Sequence, residues 1–299
     1  MINIIGHKRI FLSISGFFVL ASIITISVFG FKPGIDFVGG TLWQIKFTEK
    51  TVSRDELKAF FYDELALSNV IVTEENSGSS LLVRLQEISE PDHQAYFQKI
   101  SAKFGKADEL RFEAIGAAVG TELRSKAITA FILVLVGISL YIAFAFRKVS
   151  RPVSSWKYGI ITLVTLFHDA LIPAGMMAVL GRLLNLEIDT NFIVAILVVM
   201  GFSVHDTIVV FDRIRENLHS AGFSKKPFGE LVNDSVNQTM ARSINTSLTL
   251  VLVLIAMFVL GSITLKYFIL VILVGTVIGT YSSIFIASPL LTIWRKRQF

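Results

Sequence analysis

Asp206 is a carboxylic acid in an apolar part of the chain. It lies in GFSVHDTIVVFDRIREN, directly after the run NFIVAILVVM, and the next charged side chain is Asp212, about 9 Å further along a helix. An ionised carboxylate inside a membrane span costs about 2.5–3.5 kcal/mol on insertion scales, so it should be neutral, paired or beside water. We expect Asp206 to exchange a proton or a sodium ion during transport; the alternative is a structural hydrogen bond between helices.

A polar stripe lies further along the chain, in NDSVNQTMARSINTSLTLV. Such a stripe on an otherwise apolar helix predicts contact with another helix or with a hydrated path. If its one basic group, Arg242, meets Asp206, protonation of the carboxylate would break the pair and give a two-state element. Alternatively, Arg242 snorkels to the membrane surface. The stripe consists of Ser235, Gln238, Thr239, Arg242, Asn245, Thr246 and Thr249.

A histidine directly precedes each of two aspartates in the apolar runs. His168 and Asp169 lie in the middle of ITLVTLFHDALIPAG, where a proton relay, a second ion ligand and a helix-packing hydrogen bond are all consistent with the pattern. His205 precedes Asp206 but is turned about 100° away on a helix, so it either tunes the site or packs against a neighbour.

The composition identifies a membrane protein. Of the 299 residues 53% are hydrophobic and only 17% charged, and the mean hydropathy is +0.66. The net charge of +5 comes from short clusters between apolar runs, which indicates membrane topology rather than nucleic-acid binding. The chain has no cysteine, no Walker loop, no nucleophile elbow and no metal-ligand cluster, so we expect neither an enzyme nor a cofactor or metal site.

Six apolar runs are long enough to span a membrane as helices. The first could be a signal peptide, but its length and the lack of a clear cleavage site favour a retained anchor. Positive charges at Lys8, Arg9, Arg147, Lys148, Arg151, Lys157, Arg213, Arg215, Lys225, Lys226, Arg295, Lys296 and Arg297 fall on one side, which predicts cytoplasmic termini. The spans are predicted at residues 10–30, 128–146, 156–180, 192–210, 244–260 and 268–293.

Residues 31–122, between the first two spans, are predicted to form a small extracytoplasmic α+β domain. TLWQIKF alternates like a strand, and SRDELKAFFYDELAL opens with the capping box Ser53 to Glu56. NVIVTEE, the turn NSGSS and SLLVRLQEI give two strands, PDHQAYFQKISAKFG a helix and DELRFEAI a last strand. The order βαββαβ is ferredoxin-like. Residues 123–299 are expected to form a five-helix transmembrane domain.

Six stretches, distributed over nearly the whole chain, resemble the motifs of a known family. They are GIDFVGG (34–40), IGAAVGTEL (115–123), HD (168–169), GFSVHDTIVVFDRIREN (201–217), NQTMARSINTS (237–247) and GTYSSIFIASPLL (279–291). With them the chain resembles SecF, the smaller half of the SecD/SecF family of bacterial protein export, which is itself similar to resistance-nodulation-division transporters. One departure is His205, where family members usually carry Asn.

The resemblance implies a multi-pass protein of the bacterial inner membrane that associates with SecD, the SecYEG channel, the preprotein substrate and membrane lipid. It also implies use of the proton-motive force, with Asp206 and Arg242 on the proton path. Na⁺ is the alternative coupling ion. A small-molecule efflux transporter and a passive scaffold of the translocon are the alternative functions. The predicted coupling set is Asp206, Arg242, Asp169, His168, His205, Gln238, Thr239 and Asn245.

Overall fold

The computed structural model describes residues 2–75, 80–147, 153–220, 226–262 and 265–294. It divides the chain into two compact units, one of Pro33–Ala127 and one of Met1–Lys32 with Ile128–Phe299. The first unit has limits close to the predicted 31 and 122. Most of the predicted turn NSGSS lies outside the described residues, as do Lys148, Arg151, Lys225, Arg295, Lys296 and Arg297.

Ten α-helices, four strands and one π-helical stretch are found in the described residues. In chain order they are α1 (Lys8–Phe29), α2 (Ile35–Val38), β1 (Gly40–Phe47), α3 (Arg54–Asp63), β2 (Ile71–Glu75), β3 (Ser80–Leu85), α4 (Glu90–Phe104), β4 (Ala107–Ile115), α5 (Ala117–Ala145), α6 (Ser155–Leu184), α7 (Thr190–His219), α8 (Phe228–Leu260), α9 (Lys266–Ser282), the π-helical stretch (Ser283–Ala287) and α10 (Ser288–Ile293).

The unit of residues 33–127 has the predicted ferredoxin-like topology. Its four strands are antiparallel in the order β2-β3-β1-β4, so β1 lies at the centre beside β3 and β4. Trp43 and Ile45 of β1 are fully buried in a core that they share with Phe60 and Phe61 of α3 and Ile100 of α4. The alternating strand pattern therefore has its expected cause, a sheet with one face covered by helices.

The start of α3 confirms the predicted capping box. The Ser53 hydroxyl accepts from the Glu56 backbone N–H at 3.2 Å, and a Glu56 carboxylate oxygen accepts from the Ser53 backbone N–H at 2.9 Å. Two backbone donors that the helix geometry leaves without partners are thereby satisfied. α4 begins in the same way, because the Ser89 hydroxyl accepts from the Asp92 backbone N–H at 3.3 Å.

Two of the motif stretches meet inside this unit. Gly39 follows α2 with φ +79°, and a Cβ there would lie 2.7 Å from the Cα of Ala117. Gly120 faces it from α5, where a Cβ would lie 2.8 Å from the Gly39 nitrogen. GIDFVGG and IGAAVGTEL therefore require glycine at these two positions because two backbones approach closely.

Six helices of the described residues are long and apolar enough to cross a membrane, and the protein is a multi-pass membrane protein. Several of them extend beyond the predicted spans: α5 begins at Ala117 rather than at 128, and α7 ends at His219 rather than at 210. α8 begins at Phe228 rather than at 244, because the polar residues that seemed to precede the span are helical themselves. The last span is divided by the π-helical stretch, which hydropathy does not reveal.

Small residues let the membrane helices approach closely. Gly275 and Gly279 of α9 form a G-x-x-x-G pair against α7, where a Cβ on Gly279 would lie 2.9 Å from the Cβ of Ser203. Likewise, a Cβ on Gly175 of α6 would lie 2.5 Å from that of Ser22 in α1. Close contact of α9 with α7 places Asp206 of α7 within hydrogen-bonding distance of Ser283, which directly follows α9.

Candidate functional site

Asp169 is a fully buried carboxylate that joins three helices. Its Oδ1 lies 2.7 Å from Nδ1 of His168, the preceding residue of α6. Its Oδ2 accepts from the Ser282 hydroxyl of α9 at 2.6 Å and also from the Ser203 hydroxyl of α7. Such donors stabilise a charged carboxylate where water is absent. The predicted pair His168 and Asp169 therefore makes contacts between helices and within α6.

Asp206 lies three residues after Ser203, which is less than one helical turn, and on the same side of α7. The side chain is 5% exposed, and its Oδ2 accepts a hydrogen bond from the Ser283 hydroxyl at 2.8 Å. Ser283 directly follows Ser282, so two neighbouring residues donate to the two buried carboxylates. Ser282 and Ser283 lie at the junction of α9 with the π-helical stretch. π-Helical turns are rare and occur often at functional sites.

Further buried polar atoms surround this junction without a hydrogen-bond partner among the described residues. Nε2 of His168 is one, and the hydroxyls of Thr207 in α7, Thr276 in α9 and Ser243 in α8 are others. Buried polar groups are nearly always hydrogen-bonded, because leaving one unpaired costs about 1–3 kcal/mol. Because these groups lie on α6 to α9, this region is not a uniformly apolar packing interface.

Arg242 is not brought to Asp206. Its side chain is exposed on α8, and no ion pair joins the two residues in the part of the chain that the structure describes. The reason is geometric, because the Asp206 carboxylate is directed to Ser283 on the α9 side. Two members of the predicted stripe, Ser235 and Thr239, are buried instead. The exposed members are Gln238, Arg242, Asn245, Thr246 and Thr249.

His205 is also exposed, in keeping with its direction on the helix. It does not share the burial of Asp206, its neighbour in sequence. Between the two histidines of the predicted set, His168 therefore contacts a buried carboxylate and His205 does not. No group of three or more His, Asp or Glu side chains that could hold a metal ion occurs within the described ranges.

Sequence reasoning missed a polar network between α7 and α8. Oε1 of Gln238 accepts from Nε of Arg213 at 2.6 Å and from Nδ2 of Asn217 at 3.0 Å. Asn217 is buried and also donates to the Ser235 hydroxyl at 2.8 Å. From the sequence, Arg213 serves to predict membrane orientation, and the Gln238 contact could have been found only by extending α8 past its apolar run.

The residues before α1 are attached to α8 by two asparagines. Oδ1 of Asn233 accepts from the backbone N–H of Ile4 at 2.9 Å and of Ile5 at 3.2 Å. Asn237 exchanges two hydrogen bonds, both of 2.9 Å, with the backbone of Ile2. Ile4 is fully buried. The first Asn of the motif NQTMARSINTS therefore holds the N-terminal segment in place.

The fold and the buried polar region define a class of protein, a multi-pass membrane protein with one ferredoxin-like unit and ionisable groups between its helices. Sequence comparison identifies the family. Residues 96–297 match the profile described as "Protein export membrane protein SecD/SecF, C-terminal", and residues 24–50 match the "SecD/SecF GG Motif". The chain belongs to the SecD/SecF family of protein-export membrane proteins, as the resemblance predicted.

Similar proteins span the whole chain. The "Protein translocase subunit SecF" of Thermobaculum terrenum is 43% identical over an alignment of 312 positions, which covers 100% of this chain and 96% of that protein. The "Protein translocase subunit SecF" of Anaerolinea thermophila is 36% identical over an alignment of 301 positions, which covers 100% of this chain and 96% of that protein. The crystal structure of SecDF, "a translocon-associated membrane protein" from Thermus thermophilus, matches 98% of this chain and 38% of its own, with 34% identity and a TM-score of 0.82.

Proposed function

We propose that the chain is the SecF-type subunit of a Sec protein-export machinery in the bacterial inner membrane. It works with SecD and the SecYEG channel and uses the proton-motive force to promote translocation and release of preproteins. Its termini are cytoplasmic and the ferredoxin-like unit is extracytoplasmic. It is not an enzyme and needs no cofactor. Family membership supports the export role, because the full-length relatives are named as translocase subunits.

The observation that carries the proposed ion coupling is the burial of Asp206 with a hydroxyl partner. A fully apolar span would serve as an anchor better, since a carboxylate at this depth costs free energy. With Ser283 donating, the site can hold the charged form, and after protonation the carboxyl group is neutral and inexpensive to bury. The same site can therefore exist in two charge states, as a carrier of protons must.

The exposed stripe of α8 supports a partner half in the membrane. Arg242 and Asn245 are exposed next to the apolar part of α8, and lipid cannot satisfy such groups. The SecDF relative from Thermus thermophilus is a longer protein, because the region that matches this chain makes up 35% of its length. We assign SecD as the cover of this stripe, and we expect Arg242 to meet Asp206 or a SecD group in another state of the cycle.

Asp206→Asn tests the proposal. Preprotein translocation is measured in inverted vesicles that contain SecD and the channel, with and without a proton gradient. We expect the gradient-dependent portion to be lost, because the amide cannot exchange a proton, while the complex still assembles. Asp212→Asn is the matched control, because Asp212 is exposed and paired with Arg215 at 2.5 Å.

Unchanged translocation in Asp206→Asn would contradict ion coupling at this site and favour the passive scaffold. Repeating the measurement with a sodium gradient at constant pH separates the two coupling ions. Stimulation by the sodium gradient, lost in Asp206→Asn, would replace H⁺ with Na⁺ in the proposal without changing the site.

A further inference from the structure

Ser282 and Ser283 each have two acceptors within reach of one hydroxyl hydrogen. The Ser282 Oγ lies 2.6 Å from Oδ2 of Asp169 and 3.0 Å from the backbone oxygen of Gly279. The Ser283 Oγ lies 2.8 Å from Oδ2 of Asp206 and 2.9 Å from the backbone oxygen of Thr280. A hydroxyl has a single hydrogen to donate, so in each case the carboxylate and the carbonyl compete for it.

The charge on the carboxylate decides this competition. A charged carboxylate accepts a shorter and roughly twofold stronger hydrogen bond than a neutral carbonyl, so the hydroxyl turns to it. A protonated carboxyl group becomes a donor itself, and the serine oxygen can then accept while the serine hydrogen turns to the backbone oxygen three residues earlier. No proton leaves the serine in this change, because the hydroxyl only rotates.

We propose that Ser282 and Ser283 form a hydroxyl switch that senses the charge on Asp169 and Asp206 and transmits it to the end of α9. When the carboxylates are charged, the switch ties α9 to α6 and α7. When they are protonated, both contacts reverse direction, because each carboxyl group donates to its serine oxygen while the serine hydrogen turns to the backbone and strengthens the last turn of α9. The serines are positioning residues, and the inference rests on the ion-coupling role proposed for Asp206.

The backbone at this point is suited to such a change. The π-helical stretch begins at Ser283, and the five residues 283–287 have a wider hydrogen-bond register than the α-helices on either side. Ser282 and Ser283 are fully buried, so water does not compete for their hydroxyls. Because the two serines are adjacent, a contact of Ser282 with Asp169 also holds Ser283 against Asp206.

Other titratable groups on the packed helices are few and well placed for a clean test. On α6, His168 contacts Asp169 and Tyr158 is buried deeper in the cluster of Phe146 and Phe211. On α9, Tyr281 donates to the backbone oxygen of Phe11 at 3.1 Å. His205 on α7 and Arg242 on α8 are exposed.

Infrared difference spectroscopy tests the switch without measuring transport. The full chain with SecD in lipid vesicles is titrated, and the carbonyl band of protonated Asp206 is identified by its absence in Asp206→Asn. In Ser283→Ala the midpoint of this band should move to higher pH by about half a unit or more, because the charged form loses its donor. Ser282→Ala should move the same midpoint in the same direction, although Ser282 does not touch Asp206.

Thr292→Val is the matched control. The Thr292 hydroxyl is buried in the same part of the chain, donates to the backbone oxygen of Pro289 and contacts neither carboxylate. It should leave the midpoint unchanged. An unchanged midpoint in Ser283→Ala or in Ser282→Ala, or an equal shift in Thr292→Val, overturns the switch. Failure of the ion-coupling proposal can be distinguished from failure of the switch, because it is measured by the gradient-dependent translocation of Asp206→Asn.

Discussion

Gly275 of α9 packs against Val199 of α7 so closely that a Cβ on the glycine would lie 2.2 Å from a Val199 methyl carbon. One turn later Gly279 approaches Ser203 in the same way, with 2.9 Å between the two Cβ positions. Real Cβ atoms do not come so near to other atoms, so α7 and α9 must separate if either glycine gains a side chain. The hydrogen bond between Asp206 of α7 and Ser283, which directly follows α9, depends on this approach.

Gly275→Ala is expected to destabilise the protein. Forcing a methyl group into a packed interface typically costs about 1–3 kcal/mol, which should exceed the roughly 0.5–1 kcal/mol that alanine gains over glycine in a helix. Thermal unfolding of the purified chain in detergent should therefore begin at a lower temperature than in the wild type.

The control for this substitution is Gly201→Ala. Gly201 lies in α7, and a Cβ there would meet nothing within 4 Å. We expect its melting temperature to remain the same or to rise. A melting temperature of Gly275→Ala equal to that of Gly201→Ala would show that the α7–α9 contact is not tight.

The sequence predicted most of the fold because the deciding patterns are local. Alternation in TLWQIKF, the capping box at Ser53 and long apolar runs each depend on a few neighbouring residues. The predicted span of 244–260 is shorter than α8, because hydropathy marks the apolar part of a helix and not its polar extension, which here begins at Phe228.

The candidate site was predicted only in part for a different reason. Asp206 and Asp169 were found because a carboxylate in an apolar run is unusual by itself. Ser282 and Ser283 were not, because a serine in a membrane helix most often bonds to its own backbone, and its role depends on which helix lies opposite. The same limit applies to Arg242, whose exposure is a property of the packed helices.

Ser53→Ala should weaken the start of α3. Loss of an N-cap hydroxyl lowers helix stability by about 1 kcal/mol. Where the helix opens locally, amide exchange should therefore be about fivefold faster. Hydrogen exchange of α3 in the intact protein at neutral pH measures this effect. Ser89→Ala provides a comparison, since it should change exchange in α4 and leave α3 unaffected.

Glu56→Gln should remove a pH dependence from the same helix. Hydrogen bonds from the Ser53 backbone and then from its side chain lower the pKa of Glu56. Because the folded pKa lies below the unfolded value of about 4.3, the stabilisation is complete above that value and is lost as the pH falls through the folded pKa. The difference in protection between wild type and Glu56→Gln should therefore be full at pH 7 and disappear in acid. A difference that is the same at both pH values would contradict the capping role of the carboxylate.

Single cysteines can test the proposed orientation directly, because the natural chain has none. Lys50→Cys lies on the exposed surface of the ferredoxin-like unit, and Ser220→Cys follows α7 and is exposed as well. In intact cells whose outer membrane has been made permeable, a thiol reagent that cannot cross the inner membrane should label Lys50→Cys alone. Ser220→Cys should react only in inverted vesicles. Labelling in the reverse pattern would place the termini outside.

Arg242→Gln should separate the stability of this chain from the function of the complex. Arg242 is exposed and makes no ion pair with Asp206, so its loss should leave the melting temperature of the purified chain within about one degree of the wild type. Gradient-dependent translocation in vesicles with SecD should nevertheless fall about tenfold or more, because a buried charge that loses its partner at an interface typically costs several kcal/mol.

Arg213→Gln is the opposite case: it breaks the hydrogen bond to Gln238, so it should lower the melting temperature and leave gradient dependence intact. If Arg242→Gln translocates normally with SecD present, the exposed stripe of α8 faces neither the partner nor the ion path, and Arg242 serves only to position α8 at the membrane surface.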